Sequence, residues 1–455
     1  MRHWDILVIV FVAMVCVGSA RPGMAEGLLA DQETVLRAIA RGESQPWPPM
    51  TPEQVKALYE KAEEQLRDHQ AYHIPHGLSV DVFWTDYSRT QPFRYETVGD
   101  SACWTGHYLA ALALRYRVTR DPRTLKDIQA VIEKMDVLTK VSGRLGYIAR
   151  YAGPAEDAAY REYYKVYGRG EDPGRPGLGK WAYRGAEPYQ ELVWLGNSSR
   201  DTYDGFNFGM AAAWAYVPDE TLRGRIRSIV ETVALRLVED DFHVIDGQGH
   251  VTTPTGWWRL AWMRTIATAA PDRFPNLVSE YYEGVRKAIE AGNRVCPITY
   301  KEYFANNLTF IRMYALCTLE TDPDVKAGLQ GVLRTMYEGV KDHLNAHFAA
   351  IYLAATGDAN ESAAATLQGQ LIDLPGPPRW TRLVDYRNSS DITLREDTDY
   401  VQYALLAHEQ APSDFIWQRS PVLSHGSADA SYEFPGIDLF LPYWMGRAAG
   451  VIPGP

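Results

Sequence analysis

The sequence predicts an all-α fold, an (α/α)6 toroid in which six inner helices are surrounded by six outer helices. Two observations carry this prediction. Segments with helical spacing alternate strictly between a charged, amphipathic kind and a kind that is apolar nearly all round, with six of each. A helix with one polar side lies at a surface, whereas a helix that is apolar all round must be enclosed. The long connections, moreover, almost all precede the apolar kind, so they would lie on one rim of a ring.

The amphipathic segments are the predicted outer helices, and the apolar segments are the predicted inner helices. The outer helices are predicted at 52–70, 122–140, 219–239, 274–292, 323–342 and 360–371. The inner helices are predicted at 101–118, 203–217, 256–270, 306–320, 345–357 and 396–410. Short turns such as Asp121–Pro122 and Asp322–Pro323 lead into the outer helices. Asp caps free N–H groups and Pro is favoured in a first helical turn, so these turns mark where those helices begin.

The long connections indicate where a ligand would bind. They are predicted at 71–99, 141–202, 240–255, 293–305 and 372–395, and a short hairpin is expected within 244–251. Long irregular loops are uncommon in compact domains unless they serve function, and rigidly held loops concentrate binding residues. The rim that carries the N-termini of the inner helices is therefore the predicted binding face. Helix N-termini carry partial positive charge, which favours anionic groups there.

The two ends of the chain differ in character. Residues 6–17 form an uncharged apolar run followed by small residues, which predicts a secretory signal peptide at 1–25 and a secreted or periplasmic protein. The run is shorter than the roughly 20 apolar residues that span a bilayer, so no stable membrane span is expected. Residues 26–455 are predicted to form one toroid domain, with an aromatic C-terminal extension, 411–455, packed on it.

Composition excludes several classes of function. The 455 residues include 46 Lys and Arg against 57 Asp and Glu, and the resulting net charge of −11 opposes binding to nucleic acid. The cysteines at 16, 103, 296 and 317 form no disulfide framework or metal-ligand spacing, and buried cysteines acting as small hydrophobes are favoured over a zinc site. We therefore expect no cofactor and no metal, and the oligomeric state is left open.

The sixfold alternation of outer and inner helices resembles the six-hairpin glycosidase superfamily, whose (α/α)6 barrels mostly cleave or bind carbohydrates at this rim. The resemblance covers about residues 50–410 at the level of architecture. It implies a carbohydrate-active protein with an oligosaccharide or polysaccharide substrate. Because one fold hosts many functions, the activity depends on the residues of the site and not on the fold alone.

Carboxylates at the starts of inner helices are the catalytic candidates. Asp201 and Asp204 open the second inner helix, Asp100 the first and Asp397 the sixth. Glycoside hydrolysis needs one carboxyl group to protonate the leaving oxygen and another to activate water or attack carbon. The alternative at each position is a helix cap or a favourable interaction with the helix dipole.

Aromatic, amide and other polar side chains at the same helix starts are the candidates for substrate binding. Tryptophan rings can stack on the apolar faces of sugars, and amides and charged groups can bind hydroxyls. The alternative is that these residues are core aromatics, satisfied core histidines or caps. The candidates are Trp104, His107, Arg200, Tyr203, Trp257, Trp258, Asn306, Asn307, His347, Glu396 and Tyr400.

Three functions fit these residues. A glycoside hydrolase with paired acid and base carboxylates comes first. The second is a polysaccharide lyase or epimerase acting on uronic acids, with Tyr203 or His107 as the base and Arg200 or Asn306 neutralising the substrate carboxylate. Residues 306–309 are similar to the Asn-Asn-His-Ser motif of alginate-lyase-like toroids, with Leu308 in place of the histidine. The third is a non-catalytic carbohydrate-binding toroid.

Overall fold

Helices dominate the fold, and short strands lie in the long connections between them. The computed structural model describes residues 27–167, 182–247, 249–291, 303–390, 392–396, 398–411, 420–426 and 431–455. Within these residues the α-helices are α1 (Ala30–Ala40), α2 (Pro52–Tyr72), α3 (Ser101–Thr119), α4 (Pro122–Leu138), α5 (Ala158–Tyr167), α6 (Arg200–Tyr216), α7 (Glu220–Glu239), α8 (Gly256–Ala269), α9 (Pro275–Glu290), α10 (Phe304–Leu319), α11 (Pro323–Glu338), α12 (Ala346–Thr356), α13 (Glu361–Asp373) and α14 (Ile437–Ala448). The strands are β1 (Asp81–Trp84), β2 (Pro92–Glu96), β3 (Tyr151–Pro154), β4 (Ala182–Arg184), β5 (Leu192–Leu195), β6 (Val244–Ile245), β7 (Val251–Thr252), β8 (Arg379–Trp380), β9 (Val384–Asp385), β10 (His425–Gly426) and β11 (Tyr432–Phe434).

Eleven of the twelve predicted helices occur where the sequence placed them, with small displacements of their ends. The Asp–Pro turns act as expected. Asp121 accepts a hydrogen bond from the backbone N–H of Arg123 at the start of α4. Asp322 accepts from the N–H groups of Asp324 and Val325 at the start of α11. The prediction of a helix-rich fold is confirmed, and the small sheets are additional to it.

The prediction of a sixth inner helix at 396–410 is wrong. The described residues of this segment are irregular, with isolated bridges from Leu394 to Val401 and from Tyr400 to Leu423. The backbone N–H of Val401 donates to the carbonyl of Val422, and that of Leu405 donates to the carbonyl of Pro421. The apolar residues here are buried through extended contacts in a small separate cluster with α1, so their helical spacing does not produce a helix.

The C-terminal helix α14 packs where a further enclosed helix was expected. It contacts α3 on one side and α12 on the other, and α12 in turn contacts α10. The helices α8 and α10 both contact α6, and α6 contacts α3. In α14, Phe440, Tyr443 and Trp444 are no more than 1% exposed. The aromatic C-terminal extension therefore contributes a helix to the main core instead of lying on its surface.

Helices α3 and α6 approach each other unusually closely. A Cβ atom added to Gly106 would lie 1.8 Å from the carbonyl oxygen of Gly205, and one added to Gly205 would lie 2.3 Å from the carbonyl oxygen of Cys103. Backbone therefore packs on backbone at this crossing, which only glycine permits. The contact fixes the relative positions of the first turns of the two helices.

Small sheets organise the long connections. A four-stranded sheet in the order β2-β1-β11-β8 joins the connection before α3 to the strand before α14. A three-stranded sheet in the order β3-β5-β4 lies in the connection before α6. The expected hairpin within 244–251 is confirmed, because β6 and β7 pair antiparallel.

Some predictions concern residues outside the described part of the chain. The predicted signal peptide, 1–25, lies outside it, as does Cys296. Cys103 and Cys317 are buried with free thiols, which agrees with their expected role as small hydrophobes. In the part of the chain that the structure describes, no helix combines the length and the apolar character needed to cross a membrane.

Candidate functional site

The first turn of α6 places two charged side chains at a cavity. Ser199 is the N-cap residue, and its hydroxyl accepts a hydrogen bond from the backbone N–H of Thr202. Because Ser199 caps the helix, Arg200 and Asp201 are not needed for that role. Both side chains line a cavity of about 820 Å³.

The cavity is bounded by α8, α9, α10 and α11 in addition to the start of α6. Trp257 and Phe304 contribute aromatic rings to its wall. Among the described residues that line it, Asp201 and Glu280 are the carboxylates. Arg259 lies beside Glu280, with its Nη2 3.7 Å from the Oε2 of Glu280. The cavity therefore combines two acids with an aromatic surface.

The environment of Asp201 favours its protonated form. Burial raises the pKa of this carboxyl group above its usual value, and the negative charge of Asp100 raises it further. The positive charges of Arg150 and Arg312 oppose this shift. Asp201 forms no ion pair with any residue in the described ranges. A half-buried carboxyl group with a raised pKa at a cavity wall has the properties of a proton donor.

Asp204 lies one turn further along α6 and is engaged in a buried ion pair. Arg312 of α10 donates to both of its carboxylate oxygens, with an Nε to Oδ1 distance of 2.8 Å. The Asp204 side chain is only 2% exposed. Burial raises its pKa to about 6, although Arg312 lowers it. Arg312 lines the cavity and Asp204 does not, so the arginine lies between the carboxylate and the cavity.

Asp100 precedes α3 but does not cap it, because its side chain accepts no capping hydrogen bond. Instead its Oδ1 lies 2.9 Å from the Nη1 of Arg150. The same arginine donates to the carbonyl oxygen of Asn197, 2.8 Å away, and to that of Gly99. Arg150 thus ties the loops before α3 and α6 together and holds Asp100 near enough to Asp201 to affect its pKa.

Four of the predicted binding residues meet in an enclosed polar cluster. The rings of Trp104 and His107 lie 5.2 Å apart, and those of His107 and His347 lie 6.1 Å apart. The Nδ2 of Asn307 lies 3.5 Å from the Nε2 of His107. Burial lowers the pKa of His107 to about 4, so its ring is neutral at physiological pH. These four side chains are at most 3% exposed, and none of them lines the cavity.

Asn306 is also enclosed, at 6% exposure. Its Nδ2 has no hydrogen-bond partner among the described residues, nor has the Oδ1 of Asn207 on α6. Buried polar atoms are usually paired, so these two amides are exceptions.

Two predicted binding residues belong to the core instead. Tyr203 is 1% exposed, and its hydroxyl oxygen accepts a hydrogen bond from the backbone N–H of Ile148. Trp258 is fully enclosed, with its ring centroid 5.9 Å from that of Tyr203. Each occupies the inward side of its helix, whereas Asp201 and Trp257 lie on the side facing the cavity. Neither core ring is placed to contact a sugar.

The described candidates in 396–400 are not at the start of an inner helix, since the described residues of 396–410 form none. Glu396 is exposed on an irregular segment. Tyr400 packs against the small apolar cluster beside α1. Neither residue lines the cavity that contains Asp201. Asp397, the fourth catalytic candidate, lies outside the described residues.

Three residues of the site were not predicted from the sequence. Arg312 is the one cation in a predicted apolar helix. A charge enclosed in such a helix needs a partner of opposite charge, so its presence could have indicated a buried ion pair. Arg150 lies in a long connection and Glu280 on an outer helix, where charged residues are ordinary. Nothing in their local patterns separated these two from solvated charges.

The chain matches no protein-family model, no curated protein and no solved structure.

Proposed function

We propose that this protein is a glycoside hydrolase whose substrate binds in the cavity at the start of α6. The observation that carries the proposal is that Asp201 and Glu280, the two carboxylates among the described lining residues, share this cavity with Trp257. Hydrolysis of a glycosidic bond uses a pair of carboxyl groups on opposite sides of the bond. Tryptophan supplies a flat surface for the apolar face of a sugar ring.

The two carboxyl groups take different roles. Burial and the negative charge of Asp100 raise the pKa of Asp201, which suits this residue to donate a proton to the glycosidic oxygen. Glu280, accompanied by Arg259, is the partner carboxylate, and it activates water or attacks the anomeric carbon. Asp204, a catalytic candidate from the sequence, is assigned a positioning role because it holds Arg312 at the cavity wall.

We extend the proposal to the architecture. The six enclosed helices α3, α6, α8, α10, α12 and α14 form the inner ring of an (α/α)6 toroid, with α14 replacing the segment 396–410. The proposal is supported by the succession of contacts from α3 through α6, α8, α10, α12 and α14 back to α3. Membership of the six-hairpin glycosidase superfamily, and export directed by residues 1–25, belong to the same proposal.

The test is hydrolysis of a panel of oligosaccharides and polysaccharides by the purified protein and its variants. We expect Asp201→Asn and Glu280→Gln to lower kcat by about 10²- to 10⁴-fold while the proteins stay folded. Activity should fall as pH rises through the pKa of Asp201, because the proton donor is then lost. Asp204→Asn is the comparison variant, which should lower kcat less than Asp201→Asn does, because Asp204 does not line the cavity.

Three results would contradict this assignment. Parent-rate hydrolysis by both Asp201→Asn and Glu280→Gln would exclude the pair. A large loss in Asp100→Asn together with full activity in Glu280→Gln would show that Asp100 is the partner carboxylate. Sugar affinity without turnover in the wild-type protein would favour a binding toroid.

A lyase or epimerase acting on uronic acids is the second candidate. Arg200 lines the cavity, donates to the carbonyl of Thr253, and forms no ion pair with any described residue, so it is suited to a substrate carboxylate. The proposed bases are less well placed, because Tyr203 and His107 are both enclosed. Ultraviolet absorption from unsaturated products on uronate polymers would favour this function over hydrolysis.

A further inference from the structure

A second group of buried charges lies on elements that do not line the cavity. Asp68 of α2 and Glu433 of β11 face His73, the residue at the C-terminal end of α2. The side chains of His73 and Glu433 are fully enclosed, and that of Asp68 is 9% exposed. The Nε2 of His73 lies 3.9 Å from the Oδ2 of Asp68 and 3.7 Å from the Oε1 of Glu433.

Of the two ring nitrogens of His73, Nδ1 is hydrogen-bonded within the described part of the chain and Nε2 is not. Its Nδ1 lies 3.1 Å from the carbonyl oxygen of Val80, which can only accept, so Nδ1 carries a proton. Nε2 has no hydrogen-bond partner among the described residues. In a neutral ring the lone pair of Nε2 therefore points at two carboxylates. An imidazole that donates Nδ1–H to a backbone carbonyl while Nε2 faces acidic groups has the arrangement of a metal ligand.

The guanidinium group of Arg89 supplies positive charge to this cluster. The Nη2 of Arg89 lies 2.7 Å from oxygens of both Asp68 and Glu433. Arg89 comes from the turn between β1 and β2, where its φ is 57°, and it lies over the ring of Tyr72. The formal charges of the two carboxylates and the arginine sum to −1. A divalent cation in place of the arginine would make the enclosed cluster neutral.

We propose that Asp68, His73 and Glu433 form a binding site for a divalent metal ion of the zinc class, which exchanges with Arg89. The three ligand atoms lie within 4.8 Å of one another. Zinc bonds of about 2.0–2.2 Å place ligand atoms roughly 3.4 Å apart, so a small inward movement brings them to bonding distance. Trp84 donates from Nε1 to the Oε2 of Glu433, 2.6 Å away, and orients that carboxylate. A bound ion would tie α2 to the strand that precedes α14.

The test is metal titration of the chelator-treated full chain, with Zn²⁺ and with Co²⁺ as a spectroscopic probe. We expect one Co²⁺ per chain, with the visible absorption of a tetrahedral site that has a nitrogen ligand. In Arg89→Gln, which removes the competing cation from a surface turn, we expect binding about tenfold tighter. Without metal this variant should have a lower Tm than the wild type, because two buried carboxylates lose their partner, and Zn²⁺ should restore the Tm.

The controls locate the site. His408→Gln changes an exposed histidine and should leave the stoichiometry and affinity unchanged. Asp68→Asn should lose the Co²⁺ absorption, and His73→Gln should also lose it if that variant folds. Absence of binding in both the wild type and Arg89→Gln would overturn the proposal. An unchanged Co²⁺ spectrum in Asp68→Asn would also overturn it.

Discussion

Asp204 and Arg312 form a two-point ion pair whose members are 2% and 12% exposed. Removing one partner from such a pair leaves an uncompensated charge in an enclosed place, which is more costly than the pair itself is stabilising. We therefore expect Asp204→Asn to lower the free energy of unfolding by about 3 kcal/mol, measured by urea denaturation.

The double variant Asp204→Asn with Arg312→Gln should be more stable than the sum of the single changes predicts, because neither charge is then left alone. Glu283→Gln on α9 is the matched control, since its pair with Lys287 is exposed on both sides. It should lower the free energy of unfolding far less than Asp204→Asn does, because solvent screens an exposed ion pair. Equal losses of stability in Asp204→Asn and Glu283→Gln would show that burial does not determine how much the Asp204 ion pair contributes to the free energy of unfolding.

Single residues also show the limits of prediction from local sequence. Asp201 and Trp257 were predicted to serve the site, and both line the cavity. Their neighbours Tyr203 and Trp258 were predicted with equal reason and are enclosed. The difference is the rotation of each helix about its own axis, which is set by packing against other helices. Local composition contains no measure of that rotation.

At the scale of elements, the crossing of α3 and α6 determines where the two helix starts lie. We expect Gly106→Ala to destabilise the protein by at least about 3 kcal/mol, since the added Cβ would lie 1.8 Å from a backbone oxygen that cannot move independently. Urea denaturation monitored by circular dichroism measures the effect.

Gly224→Ala is the matched control for this change. Gly224 lies inside α7, and a Cβ there would meet nothing within 4 Å. Alanine has the higher helix propensity, so this variant should be stabilised by about 0.5–1 kcal/mol. A neutral result in Gly106→Ala would mean that the two helices can separate without cost.

Elements also differ in how well sequence predicts them. Amphipathic helices that begin with Asp–Pro were predicted reliably, because the cap and the apolar stripe are local signals. The segment 396–410 has helical spacing but no helix, since its backbone pairs with 421–424. The helix α14 was described only as an aromatic extension. Both differences arise because contacts distant in sequence decide which apolar segment enters the core.

For the whole molecule, α14 should be indispensable although it lies at the end of the chain. Deleting 437–455 would expose the faces of α3 and α12 that it covers. We expect that truncated protein to lose its cooperative unfolding transition and its near-ultraviolet circular dichroism. Deleting only 453–455, which are exposed, should change neither. A stable fold after the longer deletion would contradict the central place proposed for α14.

Acid sensitivity is a second property of the whole molecule. Burial lowers the pKa of His107 and His343 to about 4 and that of His69 and His347 well below 6.5. Because each folded pKa lies below the unfolded value, the unfolded chain binds more protons between pH 6.5 and 4. The free energy of unfolding should therefore fall as pH falls through this window, by about 3 kcal/mol at pH 4 for each of His107 and His343.

Urea denaturation at a series of pH values measures this dependence. His107→Gln should reduce the slope by about one proton per chain. Stability that is flat between pH 6.5 and 4 would show that these histidines are not kept neutral by the fold.

The sequence by itself determined eleven helices, the caps at Asp121 and Asp322, and the hairpin at 244–251. These follow from side-chain spacing and capping, which act over a few residues. Only the tertiary structure decided that α14 enters the core, that Arg312 covers Asp204, and that Glu280 faces the same cavity as Asp201. Those outcomes depend on pairs of residues far apart in the chain, whose meeting is fixed by the packing of whole helices.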